Sequence, residues 1–213
     1  MTTLNIQPRL HFRNQLLMPA SLFNLTVPEH LSSFYVRSPI YVSYTELQGV
    51  MRGESSTSGQ LIIVGGYTYA DVTGTFPNPS RQWRRTGDEW HFQGGGVCLN
   101  MTLGIYVREE YRNTGERFSV IMSHELLHVK DEVDILYSWL AGQIGRHALV
   151  RDCLRNRQPM SNTVYQQFVV GGGFSTLVRN TWATEHNRRR ALHDNPREYR
   201  RLQDRLDAIQ RRG

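Results

Sequence analysis

Lysine is almost absent from this chain. Of 25 basic residues among 213, only Lys130 is a lysine, and arginine carries the rest of the positive charge. Long apolar runs are absent too, and none approaches the roughly 20 residues that cross a bilayer, so no membrane span is expected. The opening residues MTTLNIQPRLHF lack the charged, then apolar, then small-residue order of a secretory signal. Cytoplasmic synthesis is the expectation, with export by an injection or other non-classical system left open. Cysteine is scarce: Cys98 and Cys153 stand far apart in unrelated contexts and read as small buried residues, not as a disulfide.

What is present points to one ordinary globular domain over 1–213. Hydrophobic residues make up 39% and charged residues 21%, which excludes disorder as the default and leaves enough apolar surface for a real core. From His186 onward there are nine arginines against four acids, so five of the six net positive charges belong to the C-terminus. Such a patch could meet nucleic acid, anionic lipid or an acidic partner. It lies, however, on an amphipathic pattern without interleaved aromatic platforms. The basic face of 196–212 therefore reads as a solvated helix face, and no nucleic-acid partner is expected.

Residues 1–39, with Pro8, Pro19, Pro28 and Pro39 spaced through them, read as an irregular lead-in. A short strand is expected at 40–44, then a helical turn that Thr45 could cap. Strand-like content follows at 59–76, and a loop or hairpin at 77–96. The clearest strand is VCLNMTLGIYV, in which Val97, Leu99, Met101, Leu103, Ile105 and Val107 alternate with Cys98, Asn100, Thr102, Gly104 and Tyr106. The period then becomes helical from about 116 to 142, with Asn113 and Glu116 as a capping pair. Further helices are expected near 144–157, from Phe174, and from Pro196. The last has Asn195 as its cap and Tyr199, Leu202, Leu206 and Ile209 as its apolar stripe.

The helix at 116–142 contains His124-Glu125-Leu126-Leu127-His128. Residues four apart on a helix differ by about 40° around the axis and about 6 Å along it, so two imidazoles can chelate one Zn2+. Glu125, one step round, can hold a water at the metal and accept its proton. A third ligand must come from elsewhere. Asp134, six residues after His128, points about 100° away if the helix continues. Asp131 suits a supporting role, accepting from an imidazole N–H. Farther along, His186 continues a four-residue series through Val178 and Trp182, with Glu185 as its neighbour. It is a candidate third ligand or a hydrogen-bonded core histidine, and Glu185 or an acid near Asp131 is the alternative. His147 and His193 fit less well.

Together, Tyr41 to Leu47, Gly96-x-Cys98-Leu99, the H-E-x-x-H and the distal Thr184-Glu185-His186 resemble an uncharacterised bacterial family of predicted zinc-dependent proteases. More broadly they resemble zincin-type metallopeptidases. The resemblance covers about 40–187 and implies His186 as third ligand. It also implies an α+β, zincin-like fold: a twisted β-sheet packed on the active-site helix, with further helices C-terminal. Beside such a helix an edge strand often pairs with extended substrate, and 97–107 is the candidate for that region of the sheet. The expected activity is hydrolysis of a peptide bond in a peptide or protein substrate, with zinc on His124, His128 and His186 and Glu125 as general base. The alternatives are a non-catalytic binding or structural component on the same scaffold, or a secreted effector or toxin protease. Nothing in the sequence fixes the oligomeric state.

Overall fold

A computed structural model describes residues 4–13, 17–19, 35–37, 39–54 and 65–212. In chain order the strands are β1 (Asn5–Phe12), β2 (Leu17–Pro19), β3 (Tyr35–Arg37) and β4 (Ile40–Val42), followed by helix α1 (Tyr44–Glu54). Strand β5 (Gly66–Thr75), the short helix α2 (Pro79–Gln82), β6 (Trp83–Thr86), β7 (Glu89–Phe92) and the long β8 (Gly96–Arg108) come next. Helix α3 (Glu116–Asp134) passes through a wider, π-helical stretch at Ile135–Leu140 into α4 (Ala141–Arg146). After β9 (Met160–Ser161) the chain is helical: α5 (Asn162–Tyr165), α6 (Gly173–His193) and α7 (Pro196–Gln210). The architecture is mixed α and β, a twisted sheet with helices, consistent with the α+β expectation. No helix among the described residues is long and apolar enough to cross a membrane.

The chain divides into two compact units, one of Met1–His11, Asp71–Met101 and Val133–Asn187, the other of Phe12–Ala70, Thr102–Glu132 and Arg188–Gly213. The first unit has an aromatic core. Trp83 lies against Phe92 and Tyr165, Tyr165 stacks on Trp90 with ring centroids 3.8 Å apart, and Phe76, Phe168 and Phe174 cluster beside them. The expected hairpin is present as β6 and β7, paired antiparallel from Trp83↔Phe92 to Thr86↔Glu89 around Gly87, whose φ of 61° suits a residue without a side chain. Cys98 and Cys153 are free and buried, as their scarcity suggested.

In the second unit β4 pairs in parallel with the end of β8, Ile40↔Tyr106 to Val42↔Arg108. Leu47, Tyr67 and Tyr106 form a core with Ile40, Val42, Val50, Met51 and Tyr69 against it. Helix α1 is capped by Ser43, not Thr45: Ser43 Oγ accepts from the Glu46 N–H, and the Glu46 carboxylate accepts from the Ser43 N–H at 2.8 Å, a reciprocal capping box. Helix α7 starts as its sequence indicates, with Asn195 Oδ1 accepting from Arg197 and Glu198 N–H, both at 3.1 Å. Its stripe is anchored by the buried Leu206.

Other expectations change as well. Residues 5–12, expected irregular, are strand β1, because an extended segment can pair with β8 despite Pro8. Strand β8 lies inside the sheet, between β1 and β4 and also paired with β5, so it is not itself an edge. Residues of the second set, Cys98, Gly104 and Tyr106, are buried along with the first. Asn113 does not open α3 but stands in a left-handed turn before it, with φ 64°. The strand content expected at 59–76 is seen from Gly66 onward, and 59–64 lie outside the described residues.

Leu103 is fully buried in β8. Leu103→Ala is expected to lower unfolding free energy by about 2–5 kcal/mol, read as a shifted urea midpoint at unchanged slope.

Candidate metal centre

The side chains of interest all belong to the second unit. Helix α3 supplies His124, Glu125 and His128. The end of α6 and the residue after it supply Arg190, His193 and Asp194, α7 supplies Tyr199, and β5 supplies Tyr67 and Thr68. Buried Val120, Ile121, Leu126 and Val129 fix α3 in the core and thereby the positions of the side chains it carries.

One turn of α3 brings His124 Nε2 to 3.3 Å from His128 Nε2, with the rings edge to face. Asp194 Oδ1 lies 3.0 Å from His128 Nε2 and 3.3 Å from His124 Nε2. Among the described residues these three form a group whose ligand atoms converge tightly enough to hold a metal ion. The other carboxylate oxygen of Asp194 accepts from Arg190 Nε at 2.8 Å. Arg190 in turn donates to the Tyr67 hydroxyl at 3.3 Å and lies over that ring.

The electrostatics follow from this packing. Burial alone would raise the Asp194 pKa, but hydrogen bonds from His124 and His128 and the charges of His128 and Arg190 outweigh it. The group is held far below the ordinary carboxylate range. For His124 burial works downward, and the Asp194 hydrogen bond with the charges of Glu125 and Asp194 reverses it to a net rise. Tyr199 is raised by burial first, then by the charge of Asp194 and its hydrogen bond to that carboxylate. It is therefore a neutral phenol at the site.

Glu125 is 2% exposed. Thr68 Oγ1 lies 2.9 Å from Glu125 Oε2 and 2.9 Å from the Glu125 carbonyl oxygen, tying both side chain and backbone to β5. The charge of Glu125 is felt by His124, Arg190 and Tyr199, so it belongs to the same enclosed group. Gly66 makes room for it. A Cβ there would stand 3.0 Å from both Glu125 Cγ and Oε1 and 2.9 Å from Ile121 Cγ2.

Of the residues marked in the sequence, His124, Glu125 and His128 come together. His186 is not in the converging group; it packs on Trp182, ring centroids 4.5 Å apart, and belongs to the other unit. Glu185, the alternative, is buried in the same helix and is likewise outside the group. Asp131 accepts from an imidazole as expected, but the imidazole is His193, at 2.9 Å, and Arg189 Nη1 stands 3.4 Å from its other oxygen. Asp194 was not identified in the sequence, although the signal was there. The series Val178, Trp182, His186 continues at the same spacing to Arg190 and Asp194, two turns farther on. Tyr199, assigned to an apolar stripe, lies at the site with its ring 6.0 Å from that of His124.

No family model, curated protein or solved structure matches the chain.

If Asp194 is the third ligand, Asp194→Ala should weaken divalent metal binding by at least about tenfold, the loss typical even of residues that only support a ligand. His186→Ala should leave it unchanged. Titration against a chromogenic chelator separates the two, and the reverse ranking would return the role to His186.

Proposed function

We propose that this chain is a zinc-dependent metallopeptidase of zincin-like type, with His124, His128 and Asp194 as metal ligands and Glu125 as general base. The observation that carries the reading is the spacing of the three donor atoms, 3.3, 3.3 and 3.0 Å. A tetrahedral zinc with bonds of about 2.0–2.1 Å requires its ligand atoms to stand about 3.3–3.4 Å apart. Three lone-pair donors crowded to that distance need a shared cation or shared protons to relieve their repulsion. Two neutral imidazoles and one carboxylate are also the donor set that zinc favours at catalytic centres, where three protein ligands leave one position open.

Zinc bound there would supply Lewis acidity towards a water and a substrate carbonyl oxygen. The chain's own groups do the rest. Glu125, one oxygen anchored by Thr68, takes the proton of the attacking water and can return it to the leaving amine. Tyr199, a neutral phenol in the same cluster, is a hydrogen-bond donor. Asp194 brings negative charge to the ligand set, compensated by Arg190. The substrate class is a peptide or protein.

A binding or structural component on the same scaffold is the alternative, and the position of Glu125 argues against it. It directly follows a ligand histidine on α3, where a site that only holds metal has no use for a proton acceptor. An exported effector or toxin protease would share the chemistry and differ only in target.

Glu125→Gln retains size and helix propensity and removes the proton acceptor. Metal content should stay at wild-type level while turnover of a substrate found by peptide-library screening falls by about 10²–10⁴. Near-full hydrolysis by a preparation free of contaminating protease would refute the assignment. Gly66→Ala, which crowds Glu125 without touching a ligand, should also spare metal binding and lower turnover.

A further inference from the structure

The two oxygens of Asp194 have different partners. Oδ1 stands 3.0 and 3.3 Å from the two imidazole nitrogens, and Oδ2 is 2.8 Å from Arg190 Nε. Arg190 is fixed in turn, four residues before Asp194 near the end of α6, with Nη1 3.3 Å from the Tyr67 hydroxyl and its guanidinium 4.5 Å from the centre of that ring. Both side chains are largely buried, 23% exposed for Arg190 and 17% for Asp194, so solvent screens this pair little.

A carboxylate can bind a metal through one oxygen or two, and the choice decides how many positions are left for water or substrate. We propose that Arg190, held by Tyr67, is a positioning residue that restricts Asp194 to one ligating oxygen and so keeps an exchangeable position at the metal. The guanidinium is suited to this because its planar donors bond Oδ2 and the Tyr67 hydroxyl at once, which a point charge such as lysine does less well. Without it, Oδ2 loses its charged donor and is less restrained from turning towards the ligand group. The site would then retain its metal and lose its open position. That outcome differs from ordinary loss of a supporting residue, which weakens metal binding itself.

The inference rests on the reading of His124, His128 and Asp194 as metal ligands, and one experiment separates the two. The full chain is loaded with cobalt(II), whose visible absorption reports ligand number, and acetohydroxamate is titrated as an exchangeable ligand. Wild-type protein that takes up no cobalt contradicts the metal reading and overturns this inference with it. With cobalt bound, Arg190→Gln should retain the metal, change the visible spectrum in the absence of acetohydroxamate, and bind acetohydroxamate at least about tenfold more weakly. Arg190→Lys keeps the buried charge and should show a smaller loss, about three- to tenfold, by the same comparison of fork and point charge. It also decides the matter should the glutamine variant not fold. Hydroxamate affinity within about threefold of wild type in the folded variants would overturn the proposal, as would a loss of metal affinity as large as the loss of hydroxamate affinity.

Discussion

The convergence of two imidazoles on one oxygen of Asp194 is the contact on which the rest of this site depends. It links α3 to the segment after α6, which lie far apart in sequence, and it does so with groups that are expensive to bury unless they satisfy one another. Nearby features answer that demand. Arg190 balances the carboxylate, Tyr67 holds Arg190, and Asn195, next in the chain, turns the backbone directly into α7. That turn places Tyr199 beside His124 and Leu206 in the core.

Glu125, the residue after His124 on α3, is governed by a different neighbour. It is buried against β5, where Thr68 gives it a donor and Gly66 gives it space. A single glycine and a single hydroxyl thus determine where a buried carboxylate points. The π-helical widening at Ile135–Leu140 begins only after Asp134, so the turns carrying His124, Glu125 and His128 keep regular α-helical spacing.

Much of this was legible in the residues. The period-two alternation of 97–107 marked the long strand, and an uninterrupted helical period marked the helix that carries the H-E-x-x-H. Asn195-Pro196 marked the start of the last helix. These are local signals, fixed by side-chain period and capping. That Asp194 joins His124 and His128 was not legible, because it depends on which residue near the end of α6 meets α3. Periodicity gives the face of a helix but not the height along it, and His186 and Asp194 lie on one series about 12 Å apart along the axis. The pairings of β8 were likewise invisible, since an alternating strand reads the same whether it lies inside a sheet or at its edge.

The most direct test of the account is the position of zinc itself. Crystals of the full chain grown with zinc, with data collected on both sides of the zinc absorption edge, should show one anomalous peak about 2.0–2.2 Å from His124 Nε2, His128 Nε2 and Asp194 Oδ1. A peak on His186 or Glu185, or crystals that take up zinc with no peak between His124 and His128, would contradict it.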